Sequence, residues 1–492
     1  MLLNDLKFFV PELVLIIGLM LVFVTDLLVS GKKRCLLAGL TMAVVAAAGY
    51  ALATVNCGMG TLTNVSLFSS MIVVDKFAIY FKAIFLITAF LGAIFSYLSQ
   101  EVEDYSGGEY FGILLSMVLA MFVLVSSSNL LMIFLGMEFL SATSYILTAF
   151  RRQNKASSEA ALKYVIYGAS ASGIMLFGLS YLYGLTGSLD LNVIGSEITN
   201  LLSSDYSVAT RAIASIAFIG VLAGFAYKIA SVPFHMWCPD VYQGAPTPIT
   251  AILSVGPKAA GFAILIRFLL TAFPADFFSW QIVIGVMAAA TMTLGNLVAI
   301  SQSNIKRLLA YSSIAHAGYM LMALAAFSSE GISAIMFYLA IYLLMNLGAF
   351  IIVIAVRDVT GSEEIGAFAG LIDRAPFLAI MLTIFLFSLV GLPPLGGFIG
   401  KFYLFAAIMK KATFWYYILA LIGVVNSAIS LYYYARIMRA MFFEKSSQAF
   451  SETTQSKALG FTALVLAIPV LLLGIYWTLL QDIVLKSTIL LK

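Results

Sequence analysis

Long apolar runs alternate with short polar breaks along almost the whole chain. Runs from Leu13 to Leu28, Leu36 to Thr54 and Phe77 to Ser99 come first, and each is close to the roughly 20 residues that a helix needs to cross a bilayer. Two runs, Tyr110–Ser127 and Leu130–Phe150, are joined by only a few residues and are therefore expected as antiparallel neighbours. Glu159–Leu185 is the sixth, and the seventh holds Lys228 and is interrupted at Pro233. Thr250–Thr271, Ile282–Ser301, Leu308–Phe327 and Ile332–Val356 are the eighth to eleventh. The twelfth is too long for one straight crossing and is split by Leu392-Pro393-Pro394-Leu395-Gly396-Gly397; Trp415–Met438 and Leu459–Leu480 complete the series. The pattern predicts an all-α polytopic membrane protein of about 14 transmembrane helices. Lys82, near the end of its run, is expected to snorkel to the surface.

Composition agrees, with 62% hydrophobic and only 10% charged residues, far from a soluble domain. The net charge of +4 is too small and too scattered for a nucleic-acid partner; the bilayer is the expected surroundings. Cys35, Cys57 and Cys238 have neither metal nor redox spacing and are expected to pack as small apolar side chains. Asp5 and Glu12 spoil the basic start of a signal peptide, so the first run is kept as a span. Basic residues gather in alternate loops, Lys32, Lys33, Arg34, Arg151, Arg152, Lys155, Lys306 and Arg307 among them. The positive-inside rule then puts both termini on the outer, periplasmic side of a bacterial inner (cytoplasmic) membrane. The acidic loop Glu101–Glu109 and the pair Lys410-Lys411 run against that pattern, and a polar loop with Asp190, Glu197 and Asp205 is expected before span 7.

Between Gly224 and Lys258 stand Pro233, Pro239, Pro246, Pro248 and Pro257, together with Lys228 and Lys258. A broken helix and buried charge in one place mark an ion or solute path. The break at Pro233 and the break at Pro393-Pro394 lie five spans apart, so the chain crosses in opposite directions at each. That is the requirement of an inverted repeat, with five-helix units formed by spans 4–8 and 9–13, although sequence similarity between the halves is weak. The implied division is 1–109, 110–273, 279–441 and 455–492.

A charge at mid-membrane costs roughly 3 kcal/mol or more. Glu138 and Lys228, if they face each other, recover about 4 kcal/mol at roughly 4 Å and an effective dielectric of about 20. A row of Glu138, Lys228, Lys258 and His316, continued by Lys401, is then a proton wire with an electrostatic gate. Each of the candidates also has a plain structural reading: Lys163 as a snorkelling terminal lysine, Glu138, Lys228 and Lys258, and similarly Lys401, as members of a structural buried ion pair, His316 as a hydrogen-bonded core histidine, His235 as a structural or interfacial residue. Tyr338, Tyr342 and Asn346 share one helix face at four-residue spacing and either line a hydrated interior or bridge helices.

Gly400-Lys401 is not a phosphate loop, because Leu395 stands where its first glycine is needed and Phe402 where Ser or Thr must follow. Nothing suggests a metal, haem or hydrolase site.

LGMEFLSATSYIL around Glu138, AYKIASVPFHMWCPDVYQGAPTPITAIL through span 7, GPKAAGFA at Lys258, IKRLLAYSSIAHAGYM at His316 and GLPPLGGFIGKF at Lys401 resemble the antiporter-like proton-translocating subunits of respiratory complex I. The likeness covers most of the chain. Lys401 in place of Glu argues against one of the three sister branches, the absence of a long lateral helix against a second, and Asn346 where those two usually carry Lys points to the third. The resemblance implies a gating pair of Glu138 and Lys228 modulated by Lys163, a central carrier Lys258, a relay through His316 and an outlet carrier Lys401. It also implies a non-redox translocase subunit with no cofactor of its own. NADH, FMN, iron–sulfur clusters and quinone are expected in partner subunits, beside sister antiporter-like and small membrane subunits. A subunit of a multisubunit cation/proton antiporter and a secondary solute transporter are the two alternatives.

Overall fold

A backbone in lipid must satisfy its own hydrogen bonds, and the apolar runs do so as helices. The computed structural model describes residues 2–29, 33–60, 64–105, 107–203, 208–273, 280–445 and 454–488. Lys32, Asp205 and the domain limits at 1, 279 and 492 lie outside the described residues. Among these residues 13 helices are long and apolar enough to cross a membrane, and span 12 makes the fourteenth crossing as two short helices, Pro376–Val390 and Gly396–Met409. Spans 1–6 are Val10–Leu28, Arg34–Met59, Lys76–Leu98, Gly108–Ser126, Leu130–Thr148 and Lys155–Thr186. Span 7 is Val208–Ile229 continued after its break by a short helix, Trp237–Gly244. Spans 8–11 are Thr247–Ala272, Trp280–Ile300, Ile305–Ala325 and Ser329–Thr360; spans 13 and 14 are Phe414–Phe443 and Thr454–Ile475.

The structure departs from the sequence pattern at several places. A two-stranded antiparallel ribbon, β1 (Asn64–Leu67) and β2 (Ile72–Asp75), joins spans 2 and 3. Asp75 ends the ribbon and caps span 3 by accepting from Ala78 N at 2.7 Å, while both its oxygens take Arg267 of span 8 at 2.8 and 3.0 Å. The expected polar loop before span 7 contains a helix, Leu191–Ser203, which carries Glu197. Lys82 does not snorkel: it is buried to 1% exposure and paired at 2.6 Å with the equally buried Glu12 of span 1. Its head group lies too deep to reach the surface, and a carboxylate one helix away supplies the opposite charge instead.

The two halves prove more alike than their sequences suggest. Spans 5 and 10 begin with Asn caps, Asn129 and Asn304, and spans 6 and 11 are both 32-residue helices closed by left-handed glycines, Gly187 at φ 66° and Gly361 at φ 71°. Thr-Gly-Ser stands at both closures; Thr186 and Thr360 each return their hydroxyl to a carbonyl four residues back. Each cap pairs with the following closure, Asn129 with Asp190 and Asn304 with Glu364. The motifs recur 174 or 175 residues apart, Gly187 to Gly361 and Asn129 to Asn304, on helices running in opposite directions.

Burial ranks the helices by role. The most apolar stretch of span 8 is 100% buried, that of span 10 is 94% and that of span 11 is 89%, against 33% for span 6 and 28% for span 13. The three innermost helices are those carrying Lys258, His316 and the Tyr338–Tyr342–Asn346 face.

Candidate functional site: a buried row of lysines

Span 8 is built to hold Lys258. Pro257 has no N–H, so the carbonyl of Leu253, four residues earlier, lacks its helical partner. The Tyr242 hydroxyl donates to that carbonyl at 3.3 Å, and the Tyr242 ring lies 5.5 Å from Lys258 Nζ. Lys258, only 1% exposed, donates to Ser313 Oγ of span 10 at 2.5 Å. Asn346 reaches the same helix one turn earlier, donating to Ser254 Oγ at 2.5 Å, and its Oδ1 is buried without a partner.

Beyond Ser313 the polar row continues along one face of span 10. His316 Nδ1 meets the Tyr338 hydroxyl at 2.6 Å and Nε2 meets that of Tyr434 at 3.4 Å, while the Tyr342 ring packs 5.3 Å from the imidazole. Tyr434 bonds Ser312, and its neighbour Tyr433 donates to Asn296 Oδ1 at 3.0 Å. Asn296 Nδ2 lies 3.3 Å from the Tyr319 hydroxyl, and the Tyr319 ring is 4.7 Å from Lys401 Nζ. Lys401 donates to the Val390 carbonyl at 2.9 Å and to Ser427 Oγ at 3.2 Å. A hydroxyl or a neutral imidazole both donates and accepts a hydrogen bond, whereas an ammonium only donates, so the hydroxyl and imidazole members of this row have the donor–acceptor chemistry that a relay needs.

Lys228, also 1% exposed, donates to Ser141 Oγ of span 5 at 2.9 Å. Glu138, one turn before Ser141, is half-buried and accepts from Ser172 of span 6. The expected facing pair is therefore not a direct ion pair; two serines stand in for the opposite charges. Lys163 is not beside this pair. It reaches Glu159 at 2.8 Å and Asp240 at 3.0 Å, in a groove of about 280 Å³ at the loop end of span 6, and Asp240 also takes Arg307 at 2.6 Å. His235 lies in the break of span 7 with its Nδ1 buried and unpartnered, and no hydrogen bond joins it to the lysine row.

Several members escaped the sequence reading. Ser141 and Ser313 gave only a weak signal, a hydroxyl one turn from a charged or imidazole residue; Ser172, Tyr434 and Asn296 gave none. Asp240 was visible as an acid beside a break. Glu101, in the acidic loop, accepts from Thr247 N and Oγ1 at 2.8 Å each and pairs with Arg151 at 2.8 Å and Arg357 at 3.3 Å. Burial alone would raise its carboxyl, but Lys306, Arg357 and the Thr247 hydrogen bonds hold it below the ordinary value. The first acid of the loop that ran against the charge pattern is thus paired with basic residues around it.

Comparison with known proteins sets this geometry in context. The profile of the family described as "NADH:quinone oxidoreductase/Mrp antiporter, TM" matches residues 127–430. The chain is 45% identical to a protein of an Anaeromyxobacter species named NADH-quinone oxidoreductase subunit N, over 97% of this chain and 95% of that one. It superposes on a chain of respiratory complex I from Thermus thermophilus with a TM-score of 0.78 and 29% identity, covering 96% and 98% of the two chains. A chain of the Mrp complex from a Dietzia species shares the fold at a TM-score of 0.84 and 22% identity, over 98% and 97%.

Proposed function

The chain belongs to the NADH:quinone oxidoreductase/Mrp antiporter membrane family, in its subunit N branch, and from that premise we propose that it carries protons along the buried row from Lys228 through Lys258 and His316 to Lys401. It is an antiporter-like membrane subunit of an NADH-quinone oxidoreductase. The observation that supports the proton reading is the buried polar series in which Lys258 bonds Ser313, His316 follows one turn later on span 10 and meets Tyr434, and Tyr433 beside it bonds Asn296, which reaches Tyr319 next to Lys401.

In this reading Lys258 is the central carrier and Lys401 the outlet carrier. Lys228 and Glu138 gate the first half, each held by its own serine, Ser141 and Ser172, and Lys163 acts on the gate from the loop end. Tyr338, Tyr342 and Asn346 line the passage, with His235 at its margin. The four-part division at 109, 273 and 441 separates three N-terminal spans, the two repeats and the terminal helices. Redox chemistry lies elsewhere: NADH, FMN, iron–sulfur clusters and quinone are handled by partner subunits, with sister antiporter-like subunits and small membrane subunits as direct neighbours. The protein sits in a bacterial inner membrane with both termini outside, a placement supported by the pairing of Glu101 with Arg151 and Arg357.

Lys258→Ala in the assembled complex is expected to lower the number of protons moved per electron, with Lys228→Ala lowering it too, measured by acidification in membranes respiring on NADH. An unchanged ratio in both variants would overturn the reading.

A further inference from the structure

The two breaks share one backbone plan. Ala230 (φ 58°) and Gly391 (φ 89°) are left-handed, Ser231 N and Leu392 N each return to the carbonyl five residues back, and a proline follows three residues after the left-handed residue, Pro233 and Pro394. An offset of 161 residues therefore aligns the two breaks (Ala230 to Gly391, Pro233 to Pro394), and it places Asp240, not Lys228, opposite Lys401.

The short helix Trp237–Gly244 that carries Asp240 has two working faces. On one, Cys238, Val241 and Tyr242 are fully buried; Cys238 Sγ lies 3.9 Å from Ser313 Oγ, and Tyr242 flanks Lys258. That face is a wall of the Lys258 site. On the other, Asp240 joins Lys163 of span 6 to Arg307 of span 10. At the end of the helix Lys306 donates to the Ala245 carbonyl at 2.7 Å and pairs with Glu363 at 3.0 Å, and Gly244 passes so close to span 6 that an added Cβ would come within 2.5 Å of the Ala156 carbonyl. Cations gathered at a helix C-terminus are favoured by its dipole, and Asp240 is the one acidic side chain of this helix. With Asp240 at 27% and Lys163 at 40% exposure, each ion pair alone is weak; their shared carboxylate ties three elements at one point.

We propose that Asp240 is a positioning residue for Lys258: its ion pairs to Lys163 and Arg307 clamp the short helix and so hold Cys238, Tyr242 and Ser313 around the ammonium. The second half unites carrier and clamp in Lys401, which itself binds the broken helix; the first half divides the two tasks between Lys258 and Asp240. This rests on the reading of Lys258 as a carrier.

Cys238 is a built-in probe of the clamp. In the intact complex, with Cys35 and Cys57 replaced by Ser, Asp240→Asn should speed maleimide labelling of Cys238 by about fivefold, the factor that a shift of about 1 kcal/mol produces, and lower the protons moved per electron. Asp240→Glu should restore both. If Asp240→Asn does not assemble, Lys163→Gln leaves the Arg307 pair intact and should still raise labelling. Cys238 staying as protected as in the parent, or an unchanged proton ratio in assembled Asp240→Asn, overturns the proposal. Should Lys258→Ala itself pump normally, the carrier reading has failed, and the labelling result still judges the clamp.

Discussion

The break in span 7 and the break in span 12 solve one problem with one backbone and wire it differently. At the first, the Tyr227 carbonyl accepts from Ala230 N at 3.0 Å and from the Trp237 indole N–H at 2.9 Å, and Lys228 turns away to Ser141 of another helix. At the second, the last carbonyl of the first half-helix, Val390, is held by the Lys401 ammonium. The second lysine is part of its break and the first stands beside its own. An inverted repeat thus keeps what the bilayer demands, satisfied backbone at a helix end, and is free in which side chain supplies it.

The largest test of that comparison uses position 397 and its counterpart 236. A Cβ on Gly397 would run into the Ser388 backbone carbonyl, which cannot yield, whereas Met236 is 57% exposed. Gly397→Ala is expected to abolish accumulation of the chain in membranes, and Met236→Ala to leave it unchanged; equal behaviour would mean that the two breaks are not packed differently. The left-handed residues give a smaller, two-signed test. Gly391→Ala should cost about 1–2 kcal/mol for a left-handed alanine, with added crowding of Lys401 Cδ at 2.9 Å, while Ala230→Gly relieves the same strain and should gain up to about 1 kcal/mol against the entropy of glycine. Thermal melting of the purified complex reads both signs, and two losses would break the shared-backbone comparison. The smallest effect is Trp237→Phe, which strips the Tyr227 carbonyl of its indole donor at a cost of about 1 kcal/mol. A neutral result in the same melt would show that the first break does not depend on that bond.

Much of this could be read from residue order. Proline lacks an N–H wherever it stands, so both breaks were plain, and a lysine in an apolar run is costly enough to be noticed without coordinates. The doubling was also there to be read, in the Ser-x-Ser-Asn stretches ending at Asn129 and Asn304 and the Thr-Gly-Ser closures at Gly187 and Gly361, but overall similarity between the halves is too weak to draw the eye to it. Glu138 and Lys228 illustrate the opposite case. Both stand out in the sequence as charges inside apolar runs, yet their partners, Ser172 and Ser141, are ordinary serines whose place beside them comes only from which helices lie together.

By itself the sequence determined that this is a many-span membrane protein, where its helices break and which charges stand inside them, because hydropathy, proline geometry and the cost of burying charge act on each helix separately. Tertiary structure alone decided that Lys82 meets Glu12, that Lys163 turns to Asp240 and that Asn296 lies between Tyr433 and the Tyr319 that flanks Lys401. Those outcomes depend on which helix faces are brought together from distant parts of the chain, and a buried polar group takes whatever partner packing places within hydrogen-bond reach.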